Sequence, residues 1–358
     1  MNDRNLRPAV FVRVTGQAMN VGDSVLRRAY IDALRGMGRA HLLVRQMPEG
    51  YIDGLGVIED DVIYRSDAEW RAAFKASARA VPTTYAFNAG EMQFSRFYTQ
   101  DLAASLPMLR AAARSGGTSL MLGVSMRSKG RWSPLLTPLL RAVGRVSWRD
   151  ARSRQWTGLG EVAADWAFLE GDVSASPATD ADRGYLAVTL RGDRPIPGDE
   201  WFTAVTALAD AKELELLAVS QVEVDTPLMR EVGERLGAQL IEMPAGISHT
   251  VQEEVVRDVY RHSSIVISDR LHALVMGATE GAIPLGLADD GADKAARHFD
   301  VVGLTGVSVR TADADPALVD TTDEARGRVR VAVEMGREQL RALRAGLGAT
   351  PVPQPAKA

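Results

Sequence analysis

Short apolar, β-branched runs alternate with amphipathic stretches along most of this chain, and that alternation limits its fold more than any other feature. Ala9–Thr15 (AVFVRVT) has the length and composition of a buried strand. In Ser24–Leu34 the apolar residues Val25, Leu26, Ala29, Ala33 and Leu34 recur at helical spacing, with glycines at Gly36 and Gly38 to stop the helix. His41–Arg45 is again strand-like. Further strands are expected at Thr84–Asn88, Ser119–Val124, Arg145–Trp148 and Trp166–Phe168, and helices at Asp67–Ala78, Thr99–Arg114 and Pro134–Val143. Strand and helix in turn give a mostly parallel sheet covered by helices on both faces.

The segment Gly171–Asp182 (GDVSASPATDAD) has the small, polar, proline-containing composition of a linker. A second series follows it. Strands are expected at Tyr185–Leu190, Leu214–Ser220, Gln239–Glu242, Ser264–Ser268, Ala282–Leu287 and Val307–Arg310, with helices at Glu200–Ala211, Leu228–Leu236 and His249–His262. Thr322–Leu347 reads as a long amphipathic helix with Val329, Val331, Val333, Met335, Leu340 and Leu343 as its apolar positions. The proline- and alanine-rich tail 349–358 is expected to be disordered. The expected architecture is therefore α/β: two doubly wound, Rossmann-like domains, 1–175 and 183–348, facing across a cleft, with a long C-terminal helix. Such a cleft can hold two substrates, one from each side.

Composition narrows the function. The chain has 358 residues, enough for two cores, and a formal net charge of −4, a poor match to a nucleic-acid backbone as main partner. Cysteine is absent, which excludes disulfides, thiolate metal sites and thiol catalysis. No apolar run approaches the length of a membrane span and no signal-peptide pattern is present, so a cytoplasmic protein, or one at the inner face of the cell membrane, is expected.

In an open α/β sheet ligands lie beyond the carboxyl ends of the strands, where helix N-termini present N–H groups to anions. Several segments of this chain fall at such ends. Ser268-Asp269-Arg270-Leu271-His272 follows a strand and opens a helix capped by Ser268 or Asp269. Its Arg270 offers a planar fork for carboxylate or phosphate, and His272 a group able to move protons near neutral pH. Arg191 directly follows the first strand of the second domain. Asn20-Val21-Gly22-Asp23 forms the first strand-to-helix turn, where a ligand-facing role and a plain capping turn weigh equally. Asn88-Ala89-Gly90-Glu91, Ser125-Met126-Arg127 and Arg149-Asp150 follow other strands and would project into the same crevice. Only five of the 42 cationic residues are lysine, which draws notice to Lys294. Neither a dinucleotide fingerprint nor a P-loop occurs. Arg270 and His272 are two residues apart and would diverge in a regular helix, so both can reach one ligand only if Arg270 sits at the very start.

Taken together, Asn20-Val21-Gly22-Asp23, Arg191, Ser268-Asp269-Arg270-Leu271-His272, Gly281-Ala282-Ile283-Pro284 and Lys294 resemble the polysaccharide pyruvyl transferase family, over about Val14 to Leu304. The resemblance implies a glycosyltransferase-B-like enzyme that moves the enolpyruvyl carbon of phosphoenolpyruvate onto two hydroxyls of a sugar in a cell-surface polysaccharide or its precursor, possible lipid linkage included. A cyclic pyruvate ketal forms and phosphate is released. It implies catalytic roles for His272, Arg270 and Arg191, and substrate contacts from Asn20, Gly22, Asp23, Asn88, Glu91, Ser268, Leu271 and Lys294. His272 would act as acid to the enol carbon or base to a hydroxyl. Neither a metal nor a cofactor beyond the donor is expected. The chain departs from the family's glycine-rich segments at Asn88–Glu91 and Gly123–Arg127, on the side expected to hold the acceptor. Two other functions fit the same architecture: a nucleotide-sugar-dependent glycosyltransferase, and a non-catalytic binder of glycans or phosphoesters.

Overall fold

The computed structural model describes residues 7–92, 95–128, 133–172, 183–289 and 293–347. The expected linker, beyond Gly171 and Asp172, and the expected disordered tail lie outside these residues. The first half carries β1 (Ala9–Arg13), β2 (Arg39–Leu43), β3 (Val62–Tyr64), β4 (Thr83–Ala86), β5 (Gly90–Met92), β6 (Ser119–Met126), β7 (Arg145–Trp148) and β8 (Glu161–Val162). They form one sheet in the order β3-β2-β1-β4-β6-β7-β8, with β5 paired to β6. The second half carries β9 (Tyr185–Thr189), β10 (Glu215–Val219), β11 (Gln239–Ile241), β12 (Ser263–Ser268), β13 (Ile283–Ala288) and β14 (Ser308–Arg310). Their order is β11-β10-β9-β12-β13-β14. Every recorded strand pairing is parallel, so all carboxyl ends of a sheet lie at one edge.

Helix starts follow local chemistry. Ser66, Ser95, Asp150, Ser248 and Thr322 each accept a first-turn N–H at a helix N-cap. The apolar run at Trp166–Phe168, expected as a strand, is a 3₁₀ helix over Trp166–Leu169. All three residues are fully buried, so no periodicity distinguishes the two conformations, and Asp165 Oδ1 decides by accepting from Ala167 N at 2.9 Å. Short elements escaped the sequence pattern altogether: β3, β5, β8 and the helices Glu49–Asp53, Ala151–Thr157 and Asp293–Phe299. Ser125 and Met126, expected to follow a strand, lie inside β6, where Glu91 pairs with Ser125.

The long helix Asp323–Ala345 buries Ala325, Val329, Ala332, Val333, Gly336, Leu340 and Leu343. That stripe steps by three and four residues, which leaves Val331 and Met335 on the solvent side, 63% and 40% exposed, against expectation. The helix packs back on the first half: Gln339 Oε1 accepts from Ala164 N at 3.0 Å and Arg337 donates to Gly171 O at 2.8 Å.

One apolar cluster serves only the first half, around Trp70, Phe74 and Trp148, and another only the second, around Trp201 and Val205. A third runs through both, joining Val25, Tyr30 and Trp166 to Tyr260, Leu274 and Val333. The halves thus share a core as well as having their own. Polar contacts fix their register. Asn20 and Val222 form an antiparallel bridge, Ser24 Oγ lies 2.9 Å from His249 Nδ1, and Arg28 pairs with Glu253 at 2.6 Å.

The tightest approach is at Gly22. A Cβ there would fall 2.4 Å from His272 Cβ, closer than any packed pair tolerates. Gly22→Ala is expected to lower stability by about 1–3 kcal/mol, the usual penalty for forcing a carbon into a filled contact. Urea unfolding measures it, and a variant as stable as the parent would contradict this helix-to-helix approach.

Candidate active site

The carboxyl ends of β9 and β12 face those of β1, β6 and β7 across a polar pocket of about 260 Å³. Its lining includes Asp23, Glu91, Arg127, Arg149, Arg191, Arg270, His272 and Lys294.

The wall from the second half is set by the end of β12. Ser268 pairs with Thr189 of β9. Its Oγ donates to Thr189 O at 2.5 Å and accepts from Arg270 N at 2.9 Å, so the chain turns sharply on leaving the sheet. Arg270 is the N-cap residue, in extended conformation (φ −94°, ψ 116°), ahead of a helix over Leu271–Thr279 that has no side-chain cap. Because Arg270 precedes the first helical turn, its side chain and that of His272 both reach the pocket, as the sequence requires if they serve one ligand. Arg270 clamps the buried Asp225 with two bonds of 2.5 and 2.7 Å. Asp225 also accepts from Gly192 N at 2.7 Å, tying three loops together. Arg191 clamps Asp193 at 2.8 and 2.6 Å, while its own N–H goes to Asp269 Oδ1 at 2.9 Å. Burial raises the Asp269 carboxyl above its ordinary range, against the pull of Arg194 and the Arg191 N–H.

His272 stands between the halves. Its Nδ1 lies 4.0 Å from Asp23 Oδ1, and its Nε2 lies 3.6 Å from Asp165 Oδ2 and 3.5 Å from the Arg149 guanidinium. Arg149 and Asp165 form a fully buried ion pair. Burial alone would push the Asp165 carboxyl up; Arg149 and His272 reverse this and hold it well below the usual range. Asp23 behaves alike: burial raises it, and Arg27, His272 and the Gln17 N–H bring it below the ordinary value. At the mouth, Lys294 Nζ reaches Glu91 Oε2 at 2.6 Å across the cleft, and Arg127 Nε reaches Glu91 Oε1 at 2.5 Å.

Of the residues expected from sequence, Asn20, Asp23, Glu91, Arg191, Arg270, Leu271, His272 and Lys294 line one pocket. Three do not. Ser268 is fully buried and spends its hydroxyl on the turn. Asn88 lies behind the site, accepting from Arg27 Nε at 2.9 Å and donating to Thr15 O at 2.6 Å. Gly22 packs on His272. Asn20, though at the rim, is also a cap: its Oδ1 accepts from Gly22 N at 3.0 Å. Arg127 and Arg149 follow strand ends as Arg191 does, a signal that was legible but carried no role in the motif. Asp165 and Asp225 have no such signal; each matters only through its partner from a distant segment. Among the described residues no cluster of three or more histidine, aspartate or glutamate side chains is arranged to hold a metal ion, and no helix is long and apolar enough to cross a membrane.

No protein-family profile matches the chain. No curated protein matches it in sequence. Its fold is nevertheless shared. A putative UDP-N-acetylglucosamine 2-epimerase from Listeria monocytogenes superposes with a TM-score of 0.58 at 11% identity, over 96% of this chain and 97% of that one. The Anabaena HepE protein in complex with UDP gives 0.55 at 9% identity, over 94% and 100%. The UDP-GlcNAc 2-epimerase of Neisseria meningitidis bound to UDP-GlcNAc gives 0.53 at 12% identity, over 95% and 99%. At such identities the likeness is one of fold: two parallel α/β domains and a long C-terminal helix, the glycosyltransferase-B-like architecture.

Proposed function

We propose that this protein transfers a pyruvyl group from phosphoenolpyruvate to two hydroxyls of a sugar belonging to a surface polysaccharide or its precursor. The observation that carries this reading is the convergence of His272 with Arg149, Arg191, Arg270 and Lys294 in a single pocket of about 260 Å³. Its described lining contains no tryptophan, tyrosine or phenylalanine. A compact ligand bearing a carboxylate and a phosphate suits this charge density and this size. Its methylene carbon takes a proton from His272, and the oxocarbenium-like centre so formed is attacked by a sugar hydroxyl; a second hydroxyl then displaces phosphate. Arg191 and Arg270 hold the donor's anionic groups, and the N–H groups at the start of the Leu271–Thr279 helix add to them.

A second reading is a nucleotide-sugar enzyme. Two observations favour it: solved structures of this fold are described with UDP or UDP-GlcNAc, and a second crevice of about 280 Å³ shares Arg191 and Asp269 with the polar pocket. Pro195, Ile196, Pro197 and Trp201 give that crevice an apolar floor on which a nucleoside could rest. Ligand-induced stabilisation separates the two, since a ligand that binds only the folded protein raises its melting temperature. Phosphoenolpyruvate is expected to raise it, and UDP-sugars not; the reverse result would replace the first reading by the second.

The three principal residues should fail differently. Arg191 pairs with the exposed Asp193, whose loss matters little to the fold. Arg191→Ala is therefore expected to weaken phosphoenolpyruvate binding at least about tenfold, the loss of about one charged hydrogen bond, with stability nearly unchanged. Arg270→Ala strands the buried Asp225 carboxylate, so it should also cost about 3–5 kcal/mol in denaturant unfolding. His272→Ala should keep the thermal shift and slow phosphate release by about 10²–10⁴-fold. Phosphate release at the parent rate would remove His272 from the chemistry.

A further inference from the structure

Ketal formation leaves a proton to be placed. The first hydroxyl's proton replaces the one His272 gives to the methylene carbon. The second hydroxyl must also lose a proton, and the departing phosphate must gain one. At the mouth of the cleft stands a pair suited to both tasks. Glu91 projects from β5 of the first half and Lys294 from the Asp293–Phe299 helix of the second, with Nζ and Oε2 2.6 Å apart. Both line the pocket that holds His272, and their side chains remain 17% and 36% exposed, open to a ligand. Arg127 occupies the other carboxylate oxygen of Glu91.

We propose that Glu91 and Lys294 together carry the second proton: Glu91 as base to the second sugar hydroxyl, Lys294 as acid to the leaving phosphate. This assignment rests on the pyruvyl-transfer reading. After the first addition the former enol carbon bears a methyl, a carboxylate, one sugar ether and the phosphate ester. The second hydroxyl oxygen forms a bond to that carbon and its proton passes to Glu91. The bond from carbon to the phosphate's bridging oxygen breaks, its electron pair staying on oxygen, and Lys294 supplies the proton that oxygen needs. Transfer from Glu91 to Lys294 across the 2.6 Å contact restores both groups. The sum moves one hydroxyl proton to phosphate, with nothing oxidised or reduced.

The electrostatics of the resting pair suit a donor-first order. Burial pushes Glu91 up, but Lys294 and Arg127 hold it down at about 2, too acidic to act as base. Burial, with Arg149, lowers the Lys294 ammonium below its ordinary value, against Glu91, and makes it a better acid. An incoming phosphate competes with Glu91 for Lys294 and Arg127, so donor binding frees the carboxylate as the acid is brought to the leaving group.

The test uses the full-length protein with phosphoenolpyruvate and a panel of pyranosides in deuterated water. It follows phosphate release, and deuterium in the methylene group of recovered phosphoenolpyruvate, which reports reversal of the first addition. Glu91→Gln and Lys294→Met are each expected to slow phosphate release at least about 100-fold while deuterium still enters the donor. His272→Ala loses both signals. Phosphate release within a few-fold of the parent rate in either variant, or loss of deuterium entry together with release, overturns the assignment. If the unaltered protein releases no phosphate with any pyranoside, the pyruvyl reading itself falls, and this assignment with it.

Discussion

His272 reaches Asp23 and Asp165 only because Gly22 has no side chain. The start of the Leu271–Thr279 helix, from the second half, lies against the start of the Val21–Arg35 helix, from the first, at a distance no Cβ would permit. Around that contact the halves are joined by the bridge from Asn20 to Val222, by Ser24 with His249, and by the apolar cluster running from Val25 to Val333. A histidine from one domain is thereby placed between carboxylates of the other. The site exists only in the assembled pair of domains; neither sheet alone contains it.

The second organising constraint is charge. Arg149 faces Asp165, Arg191 faces Asp193, Arg270 faces Asp225, and Arg127 and Lys294 share Glu91. Each of these cations is held in place by a carboxylate. The pairs whose carboxylate is fully buried, Arg149 with Asp165 and Arg270 with Asp225, act as fixed struts, because separating them would leave an uncompensated charge away from water. The half-exposed ones exchange partners at far smaller cost. This divides the cations into those fixed in place by buried carboxylates, Arg149 and Arg270, which both shape and line the pocket, and those at its rim that can exchange partners, Arg191, Arg127 and Lys294.

Much of this was legible in the order of residues. Alternating apolar runs located most strands and helices, since a strand buried on both faces and a one-sided helix leave different periods in the sequence. The rule that ligands lie beyond strand ends picked out Arg191, Arg270, His272 and Glu91, all of which line one pocket. It failed where side chains serve the backbone. Ser268 ends β12 and Asn88 follows β4, yet Ser268 closes a turn and Asn88 orients Arg27. A polar residue at a strand end has these uses as readily as a ligand, and spacing cannot separate them. The run Trp166–Phe168 shows the same limit for the fold: when every side is buried, period carries no information.

Local sequence, then, was sufficient for two α/β domains, for the edge at which the pocket opens, and for a helix start next to His272. These follow from periodicity, capping and φ/ψ preferences, which act within a few residues. The cap expected at Ser268 or Asp269 falls instead on Arg270, because the Ser268 hydroxyl is spent on the turn. Asp165, Asp225 and the meaning of Gly22 could come only from the folded chain. Asp225 is 45 residues from Arg270. Asp165 and Gly22 lie in the opposite domain from His272. Burial makes these partners consequential, and burial is a property of how the two sheets and the returning C-terminal helix pack.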